Sequence, residues 1–341
     1  MTQHYLRGKR RPRIGITMGD PGGVGPEVTL KALKKLPLRP ACDYIIFGSK
    51  AVLDYARSKF RIPRCAQVRD LKQPLPRGTQ IHFYDVCGEV LPTSRLPFDI
   101  GRVTQRNAAL AFAAIKKATK LACEGELEAI VTAPVNKEAM RLVYRGFTGH
   151  TEYLAKTSGS KHFAMMFVSD RLKVTLVTVH VPLKKVSRLL TPRLIAEKIT
   201  LTDQFLRNHF GIKRPRLAVC ALNPHGRETG PEDEAVVRPA VRRMQAKRIR
   251  VEGPRSADQL FHDAYEGRFD AVISMYHDQG LAPFKMIAFR DGVNVTLGLP
   301  FVRTSPDHGT AYDIAYKRPA DPSSMLSAIR LAGVLTICRR S

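Results

Sequence analysis

Short apolar runs and amphipathic helical segments alternate along most of this 341-residue chain. The runs at 14–18, 81–86 and 269–276 have the length of buried strands. The longer segment at 103–126 repeats its apolar residues with helical spacing and ends near a glycine. Strands that alternate with helices predict an α/β fold built on a largely parallel sheet.

Composition narrows the class of protein further. The length suits about two domains, and 44% hydrophobic residues exclude global disorder. No apolar run approaches the roughly 20 residues that cross a membrane, and the basic N-terminus lacks the apolar segment of a secretory signal. Six scattered cysteines without a CxxC motif predict reduced thiols and a cytoplasmic location.

The formal charge of +26 is spread along the chain and no nucleic-acid-binding motif accompanies it. This distribution favours a solvated basic surface. A polyanion partner and the steering of an anionic substrate are the two other interpretations.

A glycine-rich loop at 19–26 follows the first predicted strand, and a helix is predicted from Glu27. This arrangement can present backbone N–H groups to an anion. The spacing matches neither GxGxxG nor the P-loop, which excludes a conventional Rossmann or Walker site. From the loop alone, an anion-binding role and a tight strand-to-helix connection both stay open.

Three apolar strands lead into a histidine, namely His180, His225 and His277. The carboxyl ends of parallel strands line one crevice, where ligands bind. Three imidazoles at such ends suit a divalent metal with an open coordination position, as in catalytic sites. An ordinary hydrogen-bonded histidine is the alternative for any one of them, but the set of three favours the metal.

The stretch after His277 is the densest in polar residues, and its glycines and prolines predict a loop. Lys285, Asn294 and Arg303 follow at intervals of eight or nine residues. A lysine supplies a point charge and an arginine a planar fork, and together they bind phosphate or carboxylate. The stretch therefore predicts an anion-binding set.

Eight blocks in order carry a family resemblance: TMGDPGGVGPE, VTAPVNK, GHTEYLA, HVPL, LNPH, SADQLFH, MYHDQG and GVNVTLGLPFVRTSPDHGTAYDIA. From about Pro12 the chain resembles the 4-hydroxythreonine-4-phosphate dehydrogenase family of pyridoxal 5′-phosphate biosynthesis. Two blocks are also similar to those of isocitrate and isopropylmalate dehydrogenases. The resemblance implies their two-domain, three-layer α/β/α fold with the active site in the interdomain cleft. We expect a basic flexible arm at 1–13, a dinucleotide-side domain at 14–133 plus 303–341, and a metal, substrate and dimer domain at 134–302.

The resemblance also implies roles for matching positions. The divalent-metal ligands would be His180, His225 and His277, with His277 supplied by the second subunit of a homodimer. The substrate-binding residues would be His150, Thr151, Lys285, Asn294 and Arg303. The cofactor-binding residues would be Gly19, Asp20, His308, Gly309 and Asp313. The catalytic proton acceptor would be Asp258 or a bound water.

The implied reaction oxidises 4-phosphooxy-L-threonine at C3 with NAD or NADP, and loss of CO2 then gives 3-amino-2-oxopropyl phosphate. One divalent ion (Zn²⁺, Mg²⁺ or Co²⁺) would act as a Lewis acid. The main alternative is a dehydrogenase of erythronate or threonate 4-phosphate. A substrate without phosphate, such as the terephthalate-derived diol of a related enzyme, fits the anion-binding set less well. A basic nucleic-acid-binding paralogue and an inactive paralogue are the remote alternatives.

Two segments depart from the family pattern. After His225 the chain reads GRETGPEDE, which is shorter than the usual glycine-rich loop and carries Arg227 within the motif. This change bears on the choice of substrate. After Ala315 the chain reads YKRPADP, and Lys317 and Arg318 could favour the 2′-phosphate of NADP.

Overall fold

A computed structural model describes residues 10–37, 41–60, 64–87 and 98–340 of the chain. These residues form two compact units. The first comprises the described residues up to Gly159 together with Pro300–Ile337. The second comprises Ser160–Leu299 with the described residues after Ile337.

The first unit alternates strands with helices. Its strands are β1 (Arg13–Thr17), β2 (Asp43–Gly48), β3 (Ala66–Val68), β4 (Ile81–Asp85), β5 (Ala129–Thr132) and β12 (Val302–Pro306). Its helices are α1 (Gly25–Lys34), α2 (Lys50–Lys59), α3 (Gln105–Cys123), α4 (Lys137–Val143), α5 (His150–Thr157) and, up to Ile337, α11 (Ser323–Arg340). The strands pair in parallel in the order β3-β4-β2-β1-β5-β12.

Packing on α3 positions α4 and the segment that leads into α5, the helix that carries His150 and Thr151. The Thr104 side chain caps α3 by accepting a hydrogen bond from the N–H of Asn107. The alanine-rich face of α3 packs against Met140 of α4 and Phe147, which precedes α5. Asn136 caps α4 in the same way, through the N–H of Ala139 at 2.9 Å. Both short helices are therefore held against the core.

The second unit has a mixed sheet. Its strands are β6 (Ala164–Val168), β7 (Lys173–Leu176), β8 (Leu217–Cys220), β9 (Val251–Arg255), β10 (Ala271–Ser274) and β11 (Val293–Leu297). Its helices are α6 (Val186–Leu189), α7 (Pro192–Phe210), α8 (Arg238–Ala246), α9 (Ala257–Tyr265) and α10 (His277–Ala288). The order is β11-β6-β7-β10-β8-β9, in which β7, β10, β8 and β9 run parallel and β6 runs antiparallel to both β7 and β11.

The predicted α/β fold with a largely parallel sheet is confirmed. The segment predicted as a flexible arm is only partly described, because residues 1–9 lie outside the described residues. Arg10 donates a hydrogen bond to the carbonyl oxygen of Gly125 at 2.7 Å, and Arg13 already belongs to β1. The described end of the arm is therefore attached to the first unit.

The prediction of a loop after His277 is wrong, because His277–Ala288 forms helix α10. Its apolar residues Leu281, Phe284 and Ala288 pack into the core cluster of the second unit, and this burial outweighs the break that a proline usually causes. Gly280 lets the helix approach the sheet closely, since a Cβ there would lie 2.8 Å from a methyl carbon of Leu176. The glycine and the proline that predicted a loop are accommodated inside a packed helix.

The predicted domain boundaries after residue 133 and before residue 303 stay a prediction, because compactness alone does not define a domain that folds independently. Among the described helices, none combines the length and the apolar character that crossing a membrane requires.

Candidate active site

The three strand-end histidines follow neighbouring strands of the second unit. Strand β10 lies between β7 and β8 and is parallel to both. The segments that continue from these strands to His180, His277 and His225 therefore leave the sheet at one edge. The Thr178 hydroxyl donates to the carbonyl oxygen of Met275 at 2.7 Å, which holds the first two segments side by side.

His180 and His277 lie next to each other. Their ring centres are 5.8 Å apart, with the ring planes inclined at 39°. Two imidazoles bound to one ion through nitrogens about 2.1 Å from it have ring centres roughly 5 to 6 Å apart, so this pair fits two ligands of one metal. His277 Nδ1 also lies 2.7 Å from a carboxylate oxygen of Asp278. Over the described residues, however, no three histidine, cysteine or acidic side chains converge as a ready-made metal site.

His225 lies in a loop and lines a cavity. Its backbone has φ = 55°, in the left-handed region that few residues other than glycine adopt, and 71% of its side chain is exposed. A cavity of about 470 Å³ brings His225 together with Asp258 and Tyr276, the residue that precedes His277. Asp258, the predicted proton acceptor, therefore shares a cavity with one predicted metal ligand.

Two side chains brace the loop ends around this cavity. The Gln279 amide donates to the carbonyl oxygen of Ala221 at 2.7 Å, and its oxygen accepts from the N–H of Met275 at 2.8 Å. The buried Asp233 carboxylate accepts from the backbone N–H groups of Leu222 and Asn223 at 2.6 and 3.0 Å. The segment that carries the shortened loop is thus fixed at both ends by buried polar contacts.

Arg303 is the most deeply buried charge among the predicted substrate-binding residues. It lies on β12, is 3% exposed, and donates to the Thr132 hydroxyl at the end of β5 at 2.7 Å. Burial lowers the pKa of Arg303 to about 10, while the nearby Glu152 carboxylate opposes that shift. The guanidinium therefore stays charged at neutral pH, and it supplies a fixed positive group inside the first unit.

His150 lies beside this charge at the first residue of α5. Burial lowers the pKa of His150 well below its usual value, and the positive charges of Arg303 and Lys137 lower it further. The imidazole is therefore neutral at pH 7. Within the described residues its buried Nε2 atom has no hydrogen-bond partner, so it can donate to or accept from a bound ligand. Thr151, the next residue, is 2% exposed.

Lys285 and Asn294 belong to the second unit. Lys285 is half-buried on α10, with its ammonium 5.3 Å from the centre of the Phe289 ring. Asn294 lies on β11, where its buried side-chain oxygen has no hydrogen-bond partner among the described residues. The predicted substrate-binding set is thus divided between the two compact units.

The glycine-rich loop packs tightly against other parts of the chain. A Cβ on Gly19 would lie 2.4 Å from the carbonyl oxygen of Pro134, and one on Gly23 would lie 2.5 Å from that of Thr310. Asp20 is 1% exposed and accepts hydrogen bonds from the N–H of Gly22 at 2.8 Å and from the Tyr312 hydroxyl at 2.6 Å. These contacts give the loop a packing role of its own.

The segment around His308 has an exposed part and a buried part. His308, Gly309 and Asp313 are exposed, and a Cβ on Gly309 would meet no atom within 4 Å. Tyr312, which sequence reasoning left without a role, turns inward to Asp20. Thr132 was likewise missed, since a strand threonine gives no signal until its contact with Arg303 is seen.

Comparison with known proteins covers nearly the whole chain. A family model described as pyridoxal phosphate biosynthetic protein PdxA matches residues 40–332. A 4-hydroxythreonine-4-phosphate dehydrogenase from Desulforapulum autotrophicum is 43% identical over 95% of this chain and 95% of its own length. A D-threonate 4-phosphate dehydrogenase from Salmonella typhimurium is 39% identical over 94% of this chain and 97% of its own.

A solved structure is also similar to this chain over nearly its whole length. The 4-hydroxythreonine-4-phosphate dehydrogenase of Klebsiella pneumoniae is 38% identical and superposes with a TM-score of 0.84, covering 95% of this chain and 99% of that one. The relatives named in these comparisons are dehydrogenases, that is, oxidoreductases that act on a CH–OH group. The chain therefore belongs to the pyridoxal phosphate biosynthetic protein PdxA family and is a dehydrogenase.

Proposed function

We propose that the protein oxidises 4-phosphooxy-L-threonine at C3 with NAD or NADP, and that the product loses CO2 to give 3-amino-2-oxopropyl phosphate. The observation that carries this proposal is the match to dehydrogenases of this name over almost the whole chain. A cytoplasmic location is part of the same proposal and rests on the scattered cysteines.

Arg303 and His150 would bind an anionic group of the substrate. The buried guanidinium supplies a positive charge in a low-dielectric environment, where an ion pair with phosphate or carboxylate is strong. The neutral imidazole of His150 has a buried nitrogen available for a hydrogen bond. Thr151, Lys285 and Asn294 complete the proposed set. Because Arg303 and His150 are held within the first unit before the substrate binds, they would orient its anionic group at little entropic cost.

His180, His225 and His277 would hold one divalent ion, and the 5.8 Å spacing of two of the rings supports two of these ligands. A Zn²⁺, Mg²⁺ or Co²⁺ ion supplies a Lewis acid that lowers the pKa of a substrate hydroxyl. Asp258, in the same cavity as His225, would accept the proton that the C3 hydroxyl loses.

The nicotinamide cofactor supplies the hydride acceptor. His308, Gly309 and Asp313 form an exposed surface that it could contact, and the absence of a side chain at Gly309 leaves open space there. Gly19 and Asp20 stay in the proposed cofactor region, beside this segment. Lys317 and Arg318 are exposed on the chain that follows, and they would favour the 2′-phosphate of NADP.

A homodimer would complete the metal site. Large apolar side chains are exposed close to His180 and His277 in sequence: Val181, Leu183, Leu189, Met286, Ile287 and Phe289. Met286 is 89% exposed, Phe289 75% and Leu183 70%. Apolar surface of this kind marks an interface with a protein partner. A second copy that covers it would enclose the exposed histidines.

A second candidate function is the oxidation of D-threonate 4-phosphate or a related sugar-acid phosphate. It is supported by the 39% identity to an enzyme of that name. The two substrates share the phosphate, the carboxylate and the C3 hydroxyl, and they differ in an amino or a hydroxyl group at C2. The anion-binding residues serve both.

The test compares 4-phosphooxy-L-threonine, D-threonate 4-phosphate and D-erythronate 4-phosphate by following reduced-nicotinamide absorbance. Each is assayed with NAD and NADP, after chelation and after adding back Zn²⁺, Mg²⁺ or Co²⁺. We expect the highest kcat/KM with 4-phosphooxy-L-threonine and loss of turnover on chelation. Turnover of a sugar-acid phosphate alone would replace the main proposal with the second. Full turnover after chelation would exclude the metal.

A further inference from the structure

The segment from Asp307 to Asp313 is fastened to the glycine-rich loop by contacts at its base. The N–H of Val24 donates to the carbonyl oxygen of Thr310 at 2.9 Å. The Tyr312 hydroxyl donates to Asp20 Oδ2 at 2.6 Å, and the Thr310 side chain hydrogen-bonds the same hydroxyl. Backbone and side chain thus join two loops that lie far apart in the sequence.

Both carboxylate oxygens of Asp20 accept hydrogen bonds from the protein. One oxygen accepts from the Gly22 N–H and the other from Tyr312, and the residue is 1% exposed. Hydrogen bonds to a buried carboxylate are strong because no water competes for them. Burial raises the pKa of Asp20, and its two donors oppose that shift. Each oxygen could accept a second hydrogen bond, but at 1% exposure the carboxylate is closed off from a ribose hydroxyl.

The backbone beside Tyr312 is strained. Ala311 has φ = 44° and Tyr316 has φ = 57°, which are left-handed conformations that cost energy for residues with a Cβ. The Tyr316 ring packs against those of Tyr55 and Phe60, with ring centres 5.3 and 5.8 Å away. Tyr312 within the segment, and Tyr316 just after it, therefore anchor this strained stretch of backbone to the first unit.

We propose that Asp20 and Tyr312 are positioning residues, which fix the segment Asp307–Asp313 in the conformation that receives the dinucleotide. Asp20 acts through Tyr312 and does not contact the cofactor. This inference rests on the proposed use of NAD or NADP. It assigns a new role to Tyr312 and changes that of Asp20 from a binding to a positioning residue.

The main experiment compares Tyr312→Phe with the wild type in steady-state kinetics. Loss of one hydrogen bond to a buried carboxylate is expected to raise KM for the nicotinamide cofactor roughly tenfold. The kcat and the KM for the phosphorylated substrate should stay within about twofold of wild type, since the reacting groups are untouched. Tyr265→Phe is the matched control, because Tyr265 is 39% exposed on α9 in the second unit.

Hydrogen exchange of the protein without ligand provides a readout that does not need activity. Residues 308–313 should exchange faster in Tyr312→Phe, and the rest of the first unit should exchange as in wild type. Asp20→Asn keeps the shape of the side chain and should raise both the cofactor KM and the exchange rate in the same direction. In the double variant Asp20→Asn/Tyr312→Phe, the cofactor KM and the exchange rate should be no higher than in the more affected single variant. The two substitutions remove the same interaction, so their effects should not add.

The outcomes separate this inference from the proposed function. Unchanged cofactor KM and unchanged exchange in Tyr312→Phe would overturn the positioning role. A cofactor KM that rises in Asp20→Asn but not in Tyr312→Phe would show that Asp20 contacts the cofactor directly, and it would overturn the role as well. If the wild type turns over no substrate with either nicotinamide, the proposed function fails. Exchange at 308–313 then still decides whether Tyr312 holds the segment.

Discussion

Arg303 in the first unit and His225 in the second are both predicted to bind ligands, but they lie in opposite environments. Arg303 is 3% exposed and bonded to Thr132, whereas 71% of the His225 side chain is exposed. Around Arg303, the burial and charge of neighbouring groups already keep His150 neutral. Around His180 and His277 the neighbouring apolar side chains are exposed.

This difference indicates two ways of building a site. The first-unit residues are ordered by their own fold, so a change there should act directly on substrate binding. The second-unit histidines gain burial only when something covers them, so their order should depend on a metal and a partner. Variants of the two groups of residues test this contrast between a site that its own fold orders and one that a metal and a partner complete.

The largest effect is expected from the metal ligands. His180→Ala, His225→Ala and His277→Ala should each lower kcat/KM by more than about a hundredfold, beyond the loss typical of second-shell residues. Each should also lose bound metal, measured by elemental analysis. His262→Ala, an exposed histidine on α9, is the control and should keep both activity and metal.

Mixing the inactive variants in pairs tests the shared site. If His277 crosses to the partner, reassorted His180→Ala and His277→Ala dimers regain about a quarter of wild-type activity, because half the dimers are mixed and each has one intact site. The alternative is that His225 crosses, since His180 and His277 lie close together in one chain. In that case the His180→Ala and His225→Ala pair recovers instead. Recovery in no pair would place the whole site in one subunit and contradict the contrast.

Arg303→Lys should have the next largest effect. Lysine keeps the charge but loses the planar fork, so kcat/KM should fall roughly thirtyfold, or about 2 kcal/mol. This fall in kcat/KM should occur with no change in dimer formation or in the amount of bound metal. Native mass spectrometry measures both. Arg106→Lys, an exposed residue at the start of α3, is the matched control. Wild-type kinetics in Arg303→Lys would show that the planar fork of Arg303 has no part in binding.

Buried histidines should also make the first unit sensitive to acid. His82 on β4 is 0% exposed, and burial lowers its pKa to about 4. The folded state then binds fewer protons than the unfolded state between pH 6.5 and pH 4, so stability is complete above that range and is lost as pH falls. From pH 7.5 to pH 5 this one group should lower the free energy of unfolding by about 2 kcal/mol.

Urea unfolding at fixed protein concentration, followed by circular dichroism, measures the change. His82→Leu should remove about 2 kcal/mol of the acid-induced loss, while His262→Leu, at an exposed position, should leave it unchanged. Neither nitrogen of His82 has a hydrogen-bond partner among the described residues, so the apolar replacement costs no such bond. Equal pH dependence in His82→Leu and wild type would show that folding does not lower the pKa of His82.

The sequence was informative where apolar runs decide the structure. The strands before His180, His225 and His277 could be predicted from their apolar runs, whereas the structure is needed to show that they are neighbours in the sheet. Helix α10 was missed because Gly280 and Pro283 usually interrupt a helix. Only the close approach of Gly280 to the sheet and the burial of the helix's apolar face show why they are tolerated here.

Side-chain contacts between residues far apart in the chain could not be predicted from the sequence. Tyr312 and Asp20 are 292 residues apart, and nothing in the sequence around either residue indicates that they meet. The contact between Arg303 and Thr132 spans 171 residues. Such pairs depend on how strands are ordered in the sheet, and local periodicity carries no information about that order.

The smallest effect is expected at the exposed edge of the first unit. Lys317 and Arg318 are solvent-exposed, and contacts of exposed charges are worth about 0.3 to 0.7 kcal/mol each. The double variant Lys317→Ala/Arg318→Ala should therefore lower the preference for NADP over NAD by roughly three- to tenfold, with little effect on NAD. The change should fade at high salt, because exposed charges are screened.

Lys34→Ala/Lys35→Ala, at the end of α1, is the control for lost positive charge. If the control shifts the preference equally, the general basic surface is responsible and not these two residues. A shift much larger than tenfold would mean that the edge becomes buried when the cofactor binds, and the contrast between buried and exposed groups would then hold only for the unliganded protein.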